Sequence, residues 1–200
     1  HHFIMIERIG LSEAPPVSRP LVCVVDSDPK SVQSLSRLLR DADLVVRGFS
    51  SVIDVLEIGQ VHGPCCVVVE PDLRGIDGFD LQRTLADSAV GFVFLSGQGD
   101  VAMCARAMKA GAVDFLTKPA RPEILLDAVA RALARSQAIL AAQAVRAAAL
   151  VKIASLTARE MAVMHRVIVG MLNKQIAAEL GIAEKTIKVH RGRVMRTTGA

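Results

Sequence analysis

The sequence lacks an apolar run long enough to cross a membrane. No stretch of about 18 apolar residues is free of charged side chains, whereas a membrane-spanning helix needs about 20 predominantly apolar residues. Residues 3–9 are largely apolar, but this segment is too short and too charged for a signal peptide. These absences predict a cytoplasmic protein without a membrane partner.

Cysteine is also scarce, and its spacing excludes the usual zinc patterns. The four cysteines are Cys23, Cys65, Cys66 and Cys104, and we predict no metal site from them. Cys65 and Cys66 are neighbours in a predicted strand, so their side chains should point to opposite faces. We expect reduced thiols in a cytosolic core, with a redox-sensing pair as the alternative.

Charge is distributed unevenly along the chain. Residues 151–200 contain nine Lys and Arg but only three Asp and Glu, whereas residues 1–150 contain fifteen and seventeen. A slightly acidic body with a basic tail is typical of a regulatory domain joined to a nucleic-acid-binding domain.

Short apolar runs alternate with segments of helical period over residues 20–121. Residues 1–19 are interpreted as a leader, with His1 and His2 as the remains of a purification tag. Strands are predicted at 21–26, 44–47, 65–70, 92–95 and 113–116, and helices near 29–40, 51–58, 78–88 and 100–110. This alternation predicts a doubly wound α/β domain with a five-stranded parallel sheet.

A different pattern begins at Pro122, which suits the first position of a helix. Residues 122–153 contain no further Pro or Gly and predict one long linker helix. Along it a broken heptad repeat runs through Leu126, Leu133, Leu140 and Ala147. The repeat leaves dimerisation through this helix open.

Residues 154–200 predict an all-α domain. Helical segments lie near 157–169, 173–180 and 184–197, and Gly170 and Gly181 mark the breaks between them. The last two segments predict a helix-turn-helix, because glycine permits the sharp turn.

Polar side chains follow four of the predicted strands: Asp26 and Asp28, then Glu70, Ser96 and Lys118. Because the carboxyl ends of parallel strands meet at one edge of a sheet, we expect these side chains to converge. Carboxylates, a hydroxyl and an ammonium suit a phosphoryl or divalent-metal site. Asp28 could instead cap the helix that follows it.

The phrases at 24–28, 70–78, 94–97, 107–116 and 117–119 resemble, in order, a response-regulator receiver domain. Leu-Thr-Ala-Arg-Glu at 156–160 resembles the start of a LuxR-type DNA-binding domain. Together they resemble the NarL/FixJ class of transcriptional regulators. The resemblance implies a CheY-like strand order, 2-1-3-4-5, and a non-enzymatic response regulator of a two-component system.

Three positions depart from the receiver pattern. Glu70 stands where the family has its phosphoacceptor Asp, Ser27 stands where a second acid usually binds Mg²⁺, and Arg74 stands where a proline is expected. A glutamate is long enough to reach Lys118, so we expect a Lys118–Glu70 ion pair that is also hydrogen-bonded to Ser96. We predict weak or no Mg²⁺ binding and no cofactor.

These departures predict a pseudo-receiver that acts independently of Asp phosphorylation. Glu70 could imitate the phosphorylated state, although one carboxylate carries less charge than a phosphate. The alternatives are an inactive pocket with a solvated Glu70 and phosphorylation elsewhere, for example at Asp72. The resemblance identifies Ser96, Phe115 and Lys118 as the switch, with a cis-proline turn after Lys118; Phe115 could equally be a core residue.

The resemblance also identifies the surfaces for DNA. It places Lys188, Val189 and Gly192 near bases and Lys174, Thr186 and His190 near phosphates, and the helical pattern leaves Lys185 and Arg191 outside the buried stripe. A basic helix after a glycine turn suits the major groove. Residues 100–116 resemble the usual face of a receiver homodimer.

We therefore predict a cytoplasmic regulator that binds double-stranded promoter DNA, with a sensor kinase or a partner regulator as protein partners. The alternatives are an interaction module that sequesters a partner regulator and an orthodox kinase-driven regulator. LuxR-type domains normally continue with a fourth helix beyond the position of Ala200, so we expect a domain without its last helix, either because the sequence is truncated or because the protein lacks that helix.

Overall fold

The structure is a computed structural model that describes residues 19–57, 61, 63–73 and 77–199. The predicted leader, apart from Arg19, and the loop position Arg74 lie outside the described residues. The chain divides into two compact units, residues 1–140 and residues 141–200.

A five-stranded parallel sheet forms the N-terminal unit. Its strands are β1 (Leu21–Val25), β2 (Val45–Phe49), β3 (Cys65–Val69), β4 (Val90–Ser96) and β5 (Asp114–Thr117). They lie in the order β2-β1-β3-β4-β5, and every neighbouring pair is parallel. The predicted strand order is therefore confirmed.

Helices cover both faces of the sheet. Helices α2 (Val52–Leu56), α3 (Gly78–Thr84) and α4 (Val101–Lys109) pack on one face, and α1 (Pro29–Asp41) and α5 (Pro122–Ala154) pack on the other. Cys65 lies in the first of these cores and Cys66 in the second, so their side chains point apart as predicted. All four cysteines are free, and burial raises the pKa of the Cys66 thiol.

Helix α5 begins as part of the sheet's core. Leu125, Ala128, Val129 and Ala132 are buried against the sheet, and Gly91 permits this approach because a Cβ there would collide with the Ala132 carbonyl. The linker predicted for 122–153 thus packs on the sheet over its first half, whereas residues 141–152 are exposed. The domain boundaries proposed from the sequence remain predictions.

By length and composition alone, α5 also qualifies as a membrane span. One 18-residue window in it has a mean hydropathy of 1.3, and none of that window is buried. The many alanines of this helix raise its hydropathy although it also contains Arg146 and Lys152. This differs from the expectation that no segment would qualify, but such a helix is weak evidence for a membrane.

The C-terminal unit contains α6 (Ala158–Ile168), α7 (Asn173–Leu180) and α8 (Glu184–Thr198). Their small core is built from Val163, Ile176, Ala177 and Ile187. Thr157 and Glu160 form a reciprocal capping box at the start of α6. Gly181 ends α7 with φ of 65°, a left-handed conformation that suits glycine, and so allows the turn into α8.

Candidate functional site

Polar side chains meet at the carboxyl edge of the sheet, as the sequence predicts. Asp26 directly follows β1, Glu70 follows β3, Ser96 ends β4 and Lys118 follows β5. Asp26, Glu70 and Ser96 line one open cleft at this edge. The peptide bond between Lys118 and Pro119 is cis, as expected.

Lys118 joins the two carboxylates of this edge. Its Nζ donates to Asp26 Oδ2 at 2.5 Å and to Glu70 Oε2 at 2.6 Å. The side chains of Asp26 and Glu70 are only 6% and 12% exposed, and that of Lys118 is 26% exposed. The expected Lys118–Glu70 ion pair is therefore present, and Asp26 is a second partner that the sequence did not predict.

The two carboxylates control the protonation of Lys118. Burial lowers the pKa of its ammonium, but the hydrogen bonds to Asp26 and Glu70 and their negative charges act in the opposite sense and prevail. The net result is a pKa above the ordinary value. Lys118 consequently stays charged at neutral pH.

A second donor reaches the same oxygen of Glu70. The backbone N–H of Gly97 donates to Glu70 Oε2 at 3.3 Å. In the described part of the chain the Ser96 hydroxyl makes no hydrogen bond to Lys118 or Glu70, and its Oγ accepts the N–H of Gln98 at 3.2 Å. The predicted hydrogen bond from Ser96 to the ion pair is therefore wrong, and the backbone after β4 brings the N–H of Gln98 to the hydroxyl instead.

Ser27 and Asp28 lie outside the ion-paired cluster. Ser27 is exposed, and Asp28 caps α1 by accepting the N–H of Lys30 at 3.0 Å and the Ser31 hydroxyl at 3.2 Å. The N–H of Lys30 is the main reason that the pKa of Asp28 is lowered. Of the two roles considered for Asp28, helix capping is the one that the geometry supports.

The donor set of this cleft does not fit the Mg²⁺ ion that the resemblance implies. Asp26 accepts the N–H of Asp28 on one oxygen and Lys118 on the other, so both of its oxygens already have partners. Glu70 is bound to the same ammonium, and Ser27 supplies a hydroxyl in place of a carboxylate. Among the described residues, no group of three or more His, Cys, Asp and Glu is placed to hold a metal.

An aromatic row links the cleft to the edge of the sheet. The rings of Phe79 and Phe94 stack with centroids 4.8 Å apart, and half-buried Phe115 lies 6.1 Å beyond Phe94. Arg106 lies over Phe79, 4.0 Å from the ring centroid, and its guanidinium is 3.3 Å from Asp77. Arg106 belongs to the segment 100–116 that resembles a dimer face, and the structure also places it beside the cleft.

The C-terminal unit presents a basic surface. Lys174, Lys185, Thr186, Lys188 and Val189 are all exposed. Lys188 Nζ is 3.9 Å from Glu184 on the next turn, and such an exposed pair contributes little to stability. These five side chains are accessible to a nucleic acid.

Three other residues predicted for the DNA surface differ from them in environment. Arg191 donates to Asn173 Oδ1 at 3.1 Å and so connects α8 to the start of α7. His190 is half-buried, and its Nδ1 is enclosed without a hydrogen-bond partner in the described part of the chain. A Cβ added to Gly192 would meet nothing within 4 Å, so this position is open.

Comparison with protein-family models accounts for both units. Residues 22–130 match the model of the response regulator receiver domain, and residues 154–199 match that of bacterial regulatory proteins of the luxR family. The chain belongs to the NarL/FixJ-type response regulators. It is a DNA-binding response regulator of the two-component type.

Named relatives of this response regulator span nearly the whole chain. It is 41% identical to nodulation protein W of Bradyrhizobium diazoefficiens over 90% of the chain and 80% of the relative. It is 40% identical to the transcriptional regulatory protein TdiR of Thauera aromatica over 89% of the chain and 79% of the relative.

Two solved structures show the same architecture. The response regulator StyR matches with a TM-score of 0.79 and 37% identity, over 92% of this chain and 93% of that one. Full-length FixJ from B. japonicum matches with a TM-score of 0.54 and 35% identity, over 90% of both chains.

Two groups at the receiver cleft were not predicted from the sequence. The N–H of Gly97 carries no side-chain signal, so only the path of the backbone after β4 reveals it as a donor to Glu70. Arg106 lies near the C-terminal end of a basic amphipathic helix, which is a recognisable signal, but its neighbours are Phe79 in α3 and Asp77, the N-cap of α3. Contacts between elements distant in sequence decide both.

Proposed function

We propose that this response regulator controls DNA binding without phosphorylation of its receiver domain. The observation that carries the proposal is the double use of Glu70 Oε2, which accepts from Lys118 at 2.6 Å and from Gly97 at 3.3 Å. An ammonium and a backbone N–H are donors that suit a phosphoryl oxygen. Glu70 already satisfies both, so a phosphoryl group would have to displace its carboxylate.

Glu70 binds these donors without engaging the Ser96 hydroxyl, which stays bonded to Gln98. Lys118 thus holds Glu70 and Asp26 together, while the Ser96 hydroxyl keeps its local hydrogen bond from the N–H of Gln98. In this proposal the ion-paired pocket is a fixed structural element. The signal that changes the receiver domain is something other than transfer of a phosphoryl group.

The output is binding to double-stranded promoter DNA by a cytoplasmic, non-enzymatic protein. Helix α8 would enter the major groove, with exposed Lys188 and Val189 near base edges and Lys185, Thr186 and Lys174 near phosphates. Two copies would associate through residues 100–116, where β5 is an edge strand and Val101 is 86% exposed.

Intact-mass analysis after incubation with acetyl phosphate and Mg²⁺ tests the proposal. We expect no mass gain of a phosphoryl group on the wild-type protein, and equal promoter affinity with and without the phosphodonor in a gel shift. The matched control is the double variant Glu70→Asp, Ser27→Asp, which restores the family's acids and should accept a phosphoryl group.

A stable phosphoryl adduct on the wild-type protein that disappears in Asp26→Asn or Asp72→Asn would overturn the proposal and favour an orthodox regulator. The gel shift also tests the output. DNA binding that depends on phosphate contacts falls steeply with salt concentration, whereas a module that only sequesters a partner regulator would show no specific shift at any salt concentration.

A further inference from the structure

A separate cavity lies on the other side of Lys118, between α1 and the first turn of α5. Its volume is about 380 Å³, within the range of small-molecule sites. Lys118 lines this cavity and also bonds the two carboxylates of the cleft, whereas the residues that α1 contributes lie outside the cleft.

The body of this cavity is aliphatic. Leu95 and Leu125 are buried and form its floor, while Leu35 and Leu38 are half-buried on the side of α1. Both helices pack on the same face of the sheet, and the cavity occupies the gap that they leave at its carboxyl edge. Partly exposed leucines around a concave space favour an apolar ligand, because the ligand would remove them from water.

One end of the cavity is polar, and two of its lining side chains are cationic while one is acidic. Lys30 and Lys118 line it, and Asp28 is the only acid there. Two hydrogen bonds of the Lys118 ammonium are used by Asp26 and Glu70, and an ammonium has three donors, so one remains. Within the described chain, Lys30 has no ion-pair partner.

We infer that this cavity binds a small aliphatic carboxylate, with its chain among the leucines and its carboxylate between Lys30 and Lys118. The size of the cavity suits a chain of about eight carbons, since sites of this volume enclose small ligands. Lys118 is the only lining residue that also bonds Asp26 and Glu70.

A carboxylate bound here would share the Lys118 ammonium with Asp26 and Glu70, and its negative charge would supply an input to the cleft that needs no phosphate. That consequence rests on the proposed function, whereas binding itself does not. Ligand binding and phosphoryl transfer are measured separately, so a failure of the inferred ligand site can be distinguished from a failure of the proposed function.

Isothermal titration of the full chain with octanoate, octan-1-ol and octylamine tests the inference. We expect one saturable site for octanoate, with at least about tenfold weaker binding of octan-1-ol, which lacks the charge, and of octylamine, whose charge is opposite. The variant Ser34→Phe places a ring at the mouth of the cavity and should weaken octanoate at least about tenfold.

Gln33→Phe is the matched control, because Gln33 is an exposed neighbour on α1 that faces a different depression. It should bind octanoate as the wild type does. No saturable octanoate binding, equal binding by Ser34→Phe and the wild type, or tighter binding of octylamine than octanoate would each overturn the inference. Far-ultraviolet circular dichroism of both variants verifies that they are folded.

Discussion

Replacing Lys118 with methionine should destabilise the N-terminal unit strongly. The substitution keeps most of the apolar stem but removes the charge shared by Asp26 and Glu70, whose side chains are 6% and 12% exposed. Breaking a buried ion pair by removal of one partner costs about 3–5 kcal/mol, because a charge is left without compensation. Here two carboxylates are left, so we expect a loss within that range despite the partial exposure of Lys118.

Glu70→Gln should lower the free energy of unfolding much less than Lys118→Met does. Lys118 keeps its bond to Asp26, and the amide oxygen of glutamine can still accept from Lys118 and Gly97. Replacing a charged acceptor by a neutral one in a hydrogen bond that is otherwise kept costs about 1–2 kcal/mol of stability. If Lys118 is shared by both carboxylates, Lys118→Met should lower the free energy of unfolding more than Glu70→Gln does. If Lys118 paired with Glu70 alone, the two losses should be closer to each other.

The assay is urea unfolding followed by far-ultraviolet circular dichroism, because the chain has no Trp and no Tyr for intrinsic fluorescence. Hydrogen exchange in β1 and β3 assigns the loss to the N-terminal unit, while exchange in α6 to α8 should not change. Lys109→Met, the same change at an exposed lysine on α4, is the matched control. If Lys118→Met loses no more stability than this control, the ion-pair argument is refuted.

Four further outcomes are expected. The stability that Lys118 contributes is fully present at neutral pH and lost only as pH rises through its raised pKa, so alkaline unfolding titrations should show a decline that Lys118→Met lacks. Lys188→Ala should weaken specific DNA binding by about 1–3 kcal/mol if it contacts a base; equal loss on random DNA would make it a phosphate contact. Gly192→Ala should raise the free energy of unfolding of the C-terminal unit by up to about 1 kcal/mol in urea titrations, because the added methyl group meets nothing within 4 Å. Thr157→Ala should lower it by about 1 kcal/mol, because the N–H of Glu160 loses its cap acceptor, and thermal unfolding should report the change.

The fold was largely predictable from local pattern. Apolar runs such as 65–69 have the length and composition of fully buried strands, and their alternation with helical segments allows few topologies. The ends of elements were less predictable: the segment assigned to 78–88 ends as a helix at Thr84, because hydrogen bonding and tertiary contact decide where a helix stops.

The sequence predicted which residues meet at the site but not all of the hydrogen bonds that they make. Glu70 and Lys118 could be expected to meet because parallel strands bring their carboxyl ends to one edge. The predicted hydrogen bond from Ser96 to the ion pair was wrong, because the path of the backbone after β4 places the Ser96 hydroxyl beside the N–H of Gln98. Arg191 likewise matches the expected surface pattern of α8, but Asn173 on α7 holds its guanidinium.

The sequence by itself determined the type of protein: an α/β receiver domain joined by a long helix to a basic helix-turn-helix. Those features depend on residue type and spacing, which the chain carries directly. Only the tertiary structure decided that one lysine bridges Asp26 and Glu70 and also lines a cavity beneath α1. Residues 92 positions apart meet there, and distances between such residues are set by packing rather than by local pattern.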